Sequence, residues 1–151
     1  MSSGEPAGRV VAVCLGDGGV PKFPVESARV ETLGLVGDRH RLRFHGGENR
    51  AVCLLAVEQV RALEADGVRS DGPGTFGENL LIEGLPPEDL RPGDRLKVGD
   101  EVLLEIWDVR EPCKTLKPID ERFPTLMLGR SGWLARVIEG GEVRPGQQIR
   151  R

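Results

Sequence analysis

The sequence predicts a mainly β domain, a sandwich or barrel with a few short helices. Short apolar runs of strand length recur along the chain. The 21 glycines and 11 prolines fall as punctuation between these runs and not as one low-complexity block. At 151 residues, with 38% hydrophobic and 30% charged content, the chain fits a single domain with a sizeable core. Residues 1–8 are expected to be a frayed end, and residues 9–151 the domain.

The elements follow in order. Arg9 to Leu15 is a continuous valine-rich run, a buried strand. Gly16 to Gly19 reads as a turn. Val25 to Leu33 alternates imperfectly and predicts a second strand. Gly34 to Gly47 reads as a loop rich in glycine and charge, and Arg50 to Ala56 as a third strand. Val57 to Asp66 is the clearest helix: Val57, Val60, Ala62, Leu63 and Ala65 form an apolar stripe, and Gly67 supplies a stop. It is expected to cover one end of the barrel. Asn79 to Ile82 is a short strand, and Arg95 to Val98 with Glu101 to Trp107 make a hairpin around Gly99-Asp100. A helical turn is expected within Lys114 to Glu121. Gly132 to Glu139 reads as a helix or turn with Trp133, Leu134, Val137 and Ile138 inward. A final strand is expected near Gln148 to Arg150.

Composition excludes several classes. A net charge of -3 argues against a general nucleic-acid binder, which needs a basic face. No apolar run approaches the ~20 residues that cross a bilayer. The first residues lack the basic-then-apolar pattern of a secretory signal. Three unevenly spaced cysteines make no disulfide framework and fit a reducing compartment, so a cytoplasmic location is expected. Neither Cys-x-x-Cys nor a paired-histidine signature occurs, which argues against a structural zinc site.

Chemistry is sought where polar or thiol side chains stand at strand ends. Cys14 and Cys53 lie inside apolar runs and read as core residues. Cys113, in Arg110-Glu111-Pro112-Cys113-Lys114, follows a strand and a proline; the cations Arg110 and Lys114 favour a thiolate and Glu111 opposes them. An inert buried cysteine is the plain alternative. Both histidines, His40 and His45, lie between Gly37 and Gly47, with Asp38, Arg39, Gly46 and Gly47 beside them. Histidine can move protons or bind metal, and paired glycines let backbone amides approach an anion. A turn fixed by Asp38 and His40 explains the same residues equally well. Asn79 offers donor and acceptor groups at a strand start, where a plain turn asparagine is the commoner outcome. Lys22 follows a glycine-rich turn and could hold a phosphate, although the longer Gly-Lys-Ser/Thr signature is missing and a solvated surface lysine is the plainer reading.

Taken together these segments resemble the MOSC family, the domain named for the C-terminal part of molybdenum cofactor sulfurase. The carrying residues are Gly37-Asp38-Arg39-His40, His45-Gly46, Arg50-Ala51-Val52, Phe76-Gly77-Glu78-Asn79-Leu80, Glu83-Gly84-Leu85, Arg91 to Leu96, and Pro112-Cys113. Gly19-Val20-Pro21-Lys22 and Ala135 to Gly146 are similar to the small stand-alone bacterial members. The resemblance implies a single-domain β-barrel that binds the molybdenum cofactor (molybdopterin) or carries sulfur for it. It implies Cys113 as metal ligand or persulfide carrier, with His45 or His40 assisting proton movement. Lys22, Asp38, Arg39, Gly46, Gly47, Asn79 and Arg136 are then the candidates for holding the cofactor. Two alternatives accompany this reading. One is a molybdenum-dependent reductase of N-hydroxylated compounds fed by an external electron-donor protein. The other is a non-catalytic delivery partner in cofactor metabolism. The sequence carries no flavin or nicotinamide fingerprint, and no cysteine desulfurase segment accompanies the match.

Overall fold

The computed structural model of the chain describes residues 6–17, 21–38, 48–110, 119–122 and 129–151. Eleven strands and one helix make up the regular structure of these residues. The strands are β1 (Pro6–Leu15), β2 (Phe23–Val25), β3 (Ala28–Glu31), β4 (Gly34–Leu35), β5 (Val52–Ala56), β6 (Leu80–Glu83), β7 (Arg95–Val98), β8 (Val102–Val109), β9 (Trp133–Glu139), β10 (Gly141–Val143) and β11 (Gln148–Arg150). The helix α1 (Val57–Ala65) lies between β5 and β6, and 3-10 turns span Glu48–Arg50 and Pro87–Asp89.

The strands run in the order β11-β7-β8-β9-β5-β6-β1-β2, and β11 also pairs with β1. That extra pairing closes seven strands into a barrel and leaves β2 as an appended edge. Closure removes open edges from the main sheet. The ten-residue β1 makes it possible: its start pairs with β11, its middle with β6, and its end with β2. All pairings are antiparallel except β5 with β6, which are joined through α1 as a parallel β-α-β unit. A second sheet, β10-β3-β4, stands beside the barrel.

The apolar runs are continuous because β1, β5 and β6 are buried on both faces. Val10, Val13, Leu54, Ala56, Leu80 and Ile82 belong to the interior cluster. Ala12, Cys14, Leu55 and Leu81 face outward, against Leu63 of α1 and against Val68 and Phe76. A register shift between Val10 and Ala12 lets Val10 and Val13 share the inner face, although their spacing is odd. The helix therefore covers the outer wall of the barrel, not its end. The small sheet instead extends the interior, through Val30, Leu35 and Val143.

The helix ends as its sequence predicts. Gln59 reaches back to accept from the Ala56 N–H at 3.2 Å. Gly67 takes φ +88 and Val68 buries itself just beyond it. Arg122 and Arg130 donate to the carbonyls of Asp66 (3.0 Å) and Ala62 (3.3 Å), where cations suit the helix dipole.

Further expectations need correction. The frayed end does not reach residue 8, because Pro6 to Gly8 already pair with β11 at the start of β1. Val25 to Leu33 is two strands, not one: the chain leaves β1 at Val25 and enters the small sheet at Ala28. Gly34-Leu35 is a short strand paired with β3 and not pure loop. Gly132 to Glu139 contributes β9, not a helix, paired to β5 and β8. Trp133, Ala135 and Val137 alternate toward the interior, while Ile138 is exposed. The spacing of its apolar residues suits a short helix as well as a strand, and the two flanking strands decide for strand. Most of Lys114 to Glu121 lies outside the described residues.

Candidate functional site

The site is built on Phe76-Gly77-Glu78-Asn79, the segment leading into β6. Asn79 is fully buried and takes the place of a ladder residue on both sides. Its backbone N–H donates to the Cys53 carbonyl at 2.9 Å, and its carbonyl accepts from the Cys14 N–H at 2.7 Å. Its side chain repeats the contacts: Oδ1 accepts from the Cys53 N–H at 2.9 Å, and Nδ2 donates to the Cys14 carbonyl at 3.3 Å. Nδ2 also donates to Asp38 Oδ2 at 2.9 Å. The amide thus knits β1 to β5 across the start of β6 and holds Asp38.

Asp38 collects donors from three parts of the chain. Oδ1 accepts from the Gly16 N–H at 2.8 Å; Oδ2 accepts from Asn79 and from Lys22 Nζ at 2.8 Å. The Lys22 and Asp38 side chains are 7% and 2% exposed, so this is a buried ion pair. Such a pair is sustained by good geometry and added hydrogen bonds, and Asp38 has both. Lys22 is held through its backbone. Its N–H donates to the Gly74 carbonyl at 2.8 Å, which also accepts from the Gly77 N–H at 3.0 Å. Gly74 has φ +88, and a Cβ there would lie 2.0 Å from the Lys22 carbonyl oxygen, so only glycine serves.

Glu78 completes the group. Its Oε2 accepts from the Gly74 N–H at 2.8 Å, while Oε1 has no hydrogen-bond partner among the described residues. Burial pushes its carboxyl pKa up, against the opposing effect of backbone hydrogen bonding from Gly74, Glu78 and Phe76 and of the Arg110 guanidinium. Arg110, itself buried, donates from Nη2 to the Phe76 carbonyl at 2.7 Å and from Nη1 to the Ser131 carbonyl at 3.5 Å. The Ser131 hydroxyl donates back to the Arg110 carbonyl. The end of β8 is thereby tied to the start of β9 and to Phe76. The Cys14 thiol lies in the same field. Burial, with the charges of Glu78 and Asp38, raises its pKa to about 12 against the opposing effect of Lys22.

A consequence for the chain path follows. Asp38 is the last residue before Arg39, and Arg110 stands three residues before Cys113. The segment Phe76 to Asn79 grips both, Asp38 through Asn79 and Arg110 through Phe76. The last described residues before those two stretches, Asp38 and Arg110, are therefore held by one common segment.

A profile of the MOSC domain matches residues 41–150. The chain belongs to the MOSC domain family. Over 137 residues this MOSC chain is 33% identical to YflK of Bacillus subtilis, across 87% of its own length and 62% of that protein. It is 34% identical over 131 residues to a Gibberella moniliformis protein called a reductase, across 77% of this chain and 22% of that one. The chain thus spans about a fifth of the reductase and about three fifths of YflK. The crystal structure of YiiM from Geobacillus stearothermophilus superposes with a TM-score of 0.77 at 26% identity, over 95% of this chain and 74% of that one. That of YuaD from Bacillus subtilis gives 0.78 at 19% identity, a likeness of fold alone.

Of the residues singled out from sequence, Lys22, Asp38 and Asn79 come together as one hydrogen-bonded unit. Arg136 lies on β9 over the Trp107 ring, 5.5 Å from its centroid, with Glu48 at 3.5 Å and Glu105 at 3.9 Å. Those contacts tie it to the barrel wall and to the residue following the 39–47 stretch. Arg39, His40, His45, Gly46, Gly47 and Cys113 lie outside the described residues. Among the described residues no cluster of three His, Cys, Asp or Glu side chains could hold a metal. Glu78 and Arg110 escaped the sequence reading as site residues. A glutamate and an arginine read as surface residues until the fold buries them, and the one available signal was that Glu78 adjoins Asn79 and Arg110 lies three residues before Cys113.

Proposed function

We infer that this MOSC domain binds the molybdenum cofactor, with Cys113 as the ligand or sulfur carrier at the metal. One observation carries this reading: Phe76 to Asn79 anchors both Asp38 and Arg110, and so the roots of the stretches bearing His40, His45 and Cys113. The residues in hand fit an anionic, phosphate-bearing group. Lys22 is a buried ammonium whose side-chain hydrogen bond among the described residues goes to Asp38, one of its three donors. Buried Arg110 directs its guanidinium hydrogen bonds at carbonyl oxygens among the described residues.

When bound, the cofactor would supply two-electron redox chemistry at molybdenum. The protein's part is to bind and orient. Lys22 and Arg39 meet the phosphate, and the Gly46 and Gly47 amides meet the pterin. Asp38 fixes Lys22, and Asn79 fixes Asp38. His40 or His45 moves a proton, and Cys113 presents its sulfur to the metal. Purifying the protein without air from cofactor-making cells tests this reading. Extracted pterin, oxidised and read by fluorescence, is expected with the wild type. Its absence counts against binding.

A second reading, a reductase of N-hydroxylated compounds fed by an electron-donor protein, is favoured by the relative called a reductase. Loaded protein with a chemical electron donor should then reduce an N-hydroxylated base. Equal turnover by wild type and Cys113→Ser would remove Cys113 from that reaction.

A further inference from the structure

A cavity of about 440 Å³ lies between α1, the 3-10 turn Pro87–Asp89 and the pairing of β8 with β9. Its size suits a small organic ligand, for which roughly 300–1,000 Å³ is usual. Ala62 of α1, Val109 at the end of β8 and its cross-strand partner Trp133 on β9 give it apolar walls. Gln59 of α1 lines it too, and its side chain is 8% exposed. The Gln59 oxygen accepts from the Ala56 N–H at 3.2 Å, which leaves the amino group Nε2 as the other end of the amide. Among the described residues Nε2 has no hydrogen-bond partner. Trp133 repeats the pattern, since its indole N–H is buried without an acceptor among the described residues. Both unmet groups are donors, so an acceptor is what the cavity lacks. Charge narrows the class further. The carboxylates of Glu58 and Glu88 line the cavity and are exposed. Glu58 accepts from the Gly84 N–H at 3.1 Å, and neither glutamate has an ion-pair partner among the described residues. Arg130, the cation of the lining, is paired with Asp66.

We propose that this cavity binds a small aromatic carbonyl compound bearing a basic nitrogen. The ligand's carbonyl oxygen accepts from Gln59 Nε2. Its apolar body lies against Ala62, Val109 and Trp133, and its basic nitrogen faces Glu58 and Glu88. A few placed polar groups in apolar walls are how such pockets fix a ligand's orientation. None of these residues takes part in the cofactor reading above, and the two stand or fall separately.

The probes are benzamide, para-aminomethylbenzamide and para-carboxybenzamide, and the reporter is the indole N–H signal of Trp133 in NMR. The chain has two tryptophans, and Trp107→Phe tells their signals apart. Benzamide should shift the Trp133 signal saturably and leave that of Trp107 in place. The aminomethyl probe should bind severalfold more tightly than the carboxy probe, by a margin that salt reduces. Gln59→Glu keeps the acceptor for the Ala56 N–H but replaces the donor, so benzamide affinity should fall about tenfold. Ala62→Leu fills the cavity from an exposed helix position with a good helix former. It should abolish binding without lowering the melting temperature. Affinity unchanged in either variant overturns the proposal, as does a Trp133 signal that no probe moves. Equal or reversed ranking of the two charged probes overturns it too. Should Gln59→Glu fail to fold, Ala62→Leu and the ranking of the probes decide.

Discussion

Asn79 carries more of the structure than its size implies. Its side chain spends both donors and its acceptor on β1, β5 and Asp38, inside the protein. Removing it leaves buried backbone groups and a carboxylate short of partners, each worth roughly 1–3 kcal/mol. Asn79→Ala should lower unfolding stability in urea by about 2–4 kcal/mol. A loss below the scatter of ordinary surface substitutions would mean that the bracket does not hold in solution. Glu78 gives a pH signature with a definite sign. Its folded pKa is raised above the ordinary 4.5, so the folded state holds the proton more tightly than the unfolded one. The associated stability is full below that ordinary value and is lost as pH climbs toward the folded pKa. Thermal melts of Glu78→Gln should match the wild type in acid and exceed it increasingly toward neutral pH; parallel curves would contradict this. Cys14, its pKa raised to about 12 by burial, should resist iodoacetamide in the native protein and react only after unfolding. Native labelling of Cys14, located by mass spectrometry, would contradict its placement.

At the scale of elements, the sequence was legible where local chemistry decides and opaque where partners decide. The Val57–Ala65 helix follows from its stripe and the Gly67 stop, and β1, β5 and β6 follow from their apolar runs. The helix's seat on the outer wall was not legible, because a run buried on both faces does not say which layer covers which face. Nor was β9, whose residues Trp133 to Ile138 satisfy either period until β5 and β8 flank them. The site shows the same division. Lys22, Asp38 and Asn79 were readable as polar side chains at strand ends and loops. Their convergence across 57 residues of chain, with the burial of Glu78 and Arg110, is a property of the fold. The turn before β6 offers a direct check. Gly74→Ala must accommodate φ +88 and a Cβ 2.0 Å from the Lys22 carbonyl oxygen. Either the turn or Lys22 has to move, so the loss should exceed about 2 kcal/mol and extend to anion binding. A neutral result would show that this close approach is absent in solution.

At the scale of the molecule, a closed seven-stranded barrel provides a rigid wall, and the polar group at the β1, β5 and β6 ends anchors two stretches of chain on it. This matches the family's fold. Molybdenum per chain, measured by elemental analysis on protein purified without air from cofactor-competent cells, tests that account most directly, with Cys113→Ser prepared in parallel. The account predicts stoichiometric molybdenum in the wild type and a clear loss of metal in Cys113→Ser if the thiol is a ligand. If the thiol instead carries sulfur, the metal stays and a sulfur adduct on Cys113 disappears. Wild-type protein that folds but carries neither molybdenum nor a Cys113 adduct would contradict the central claim.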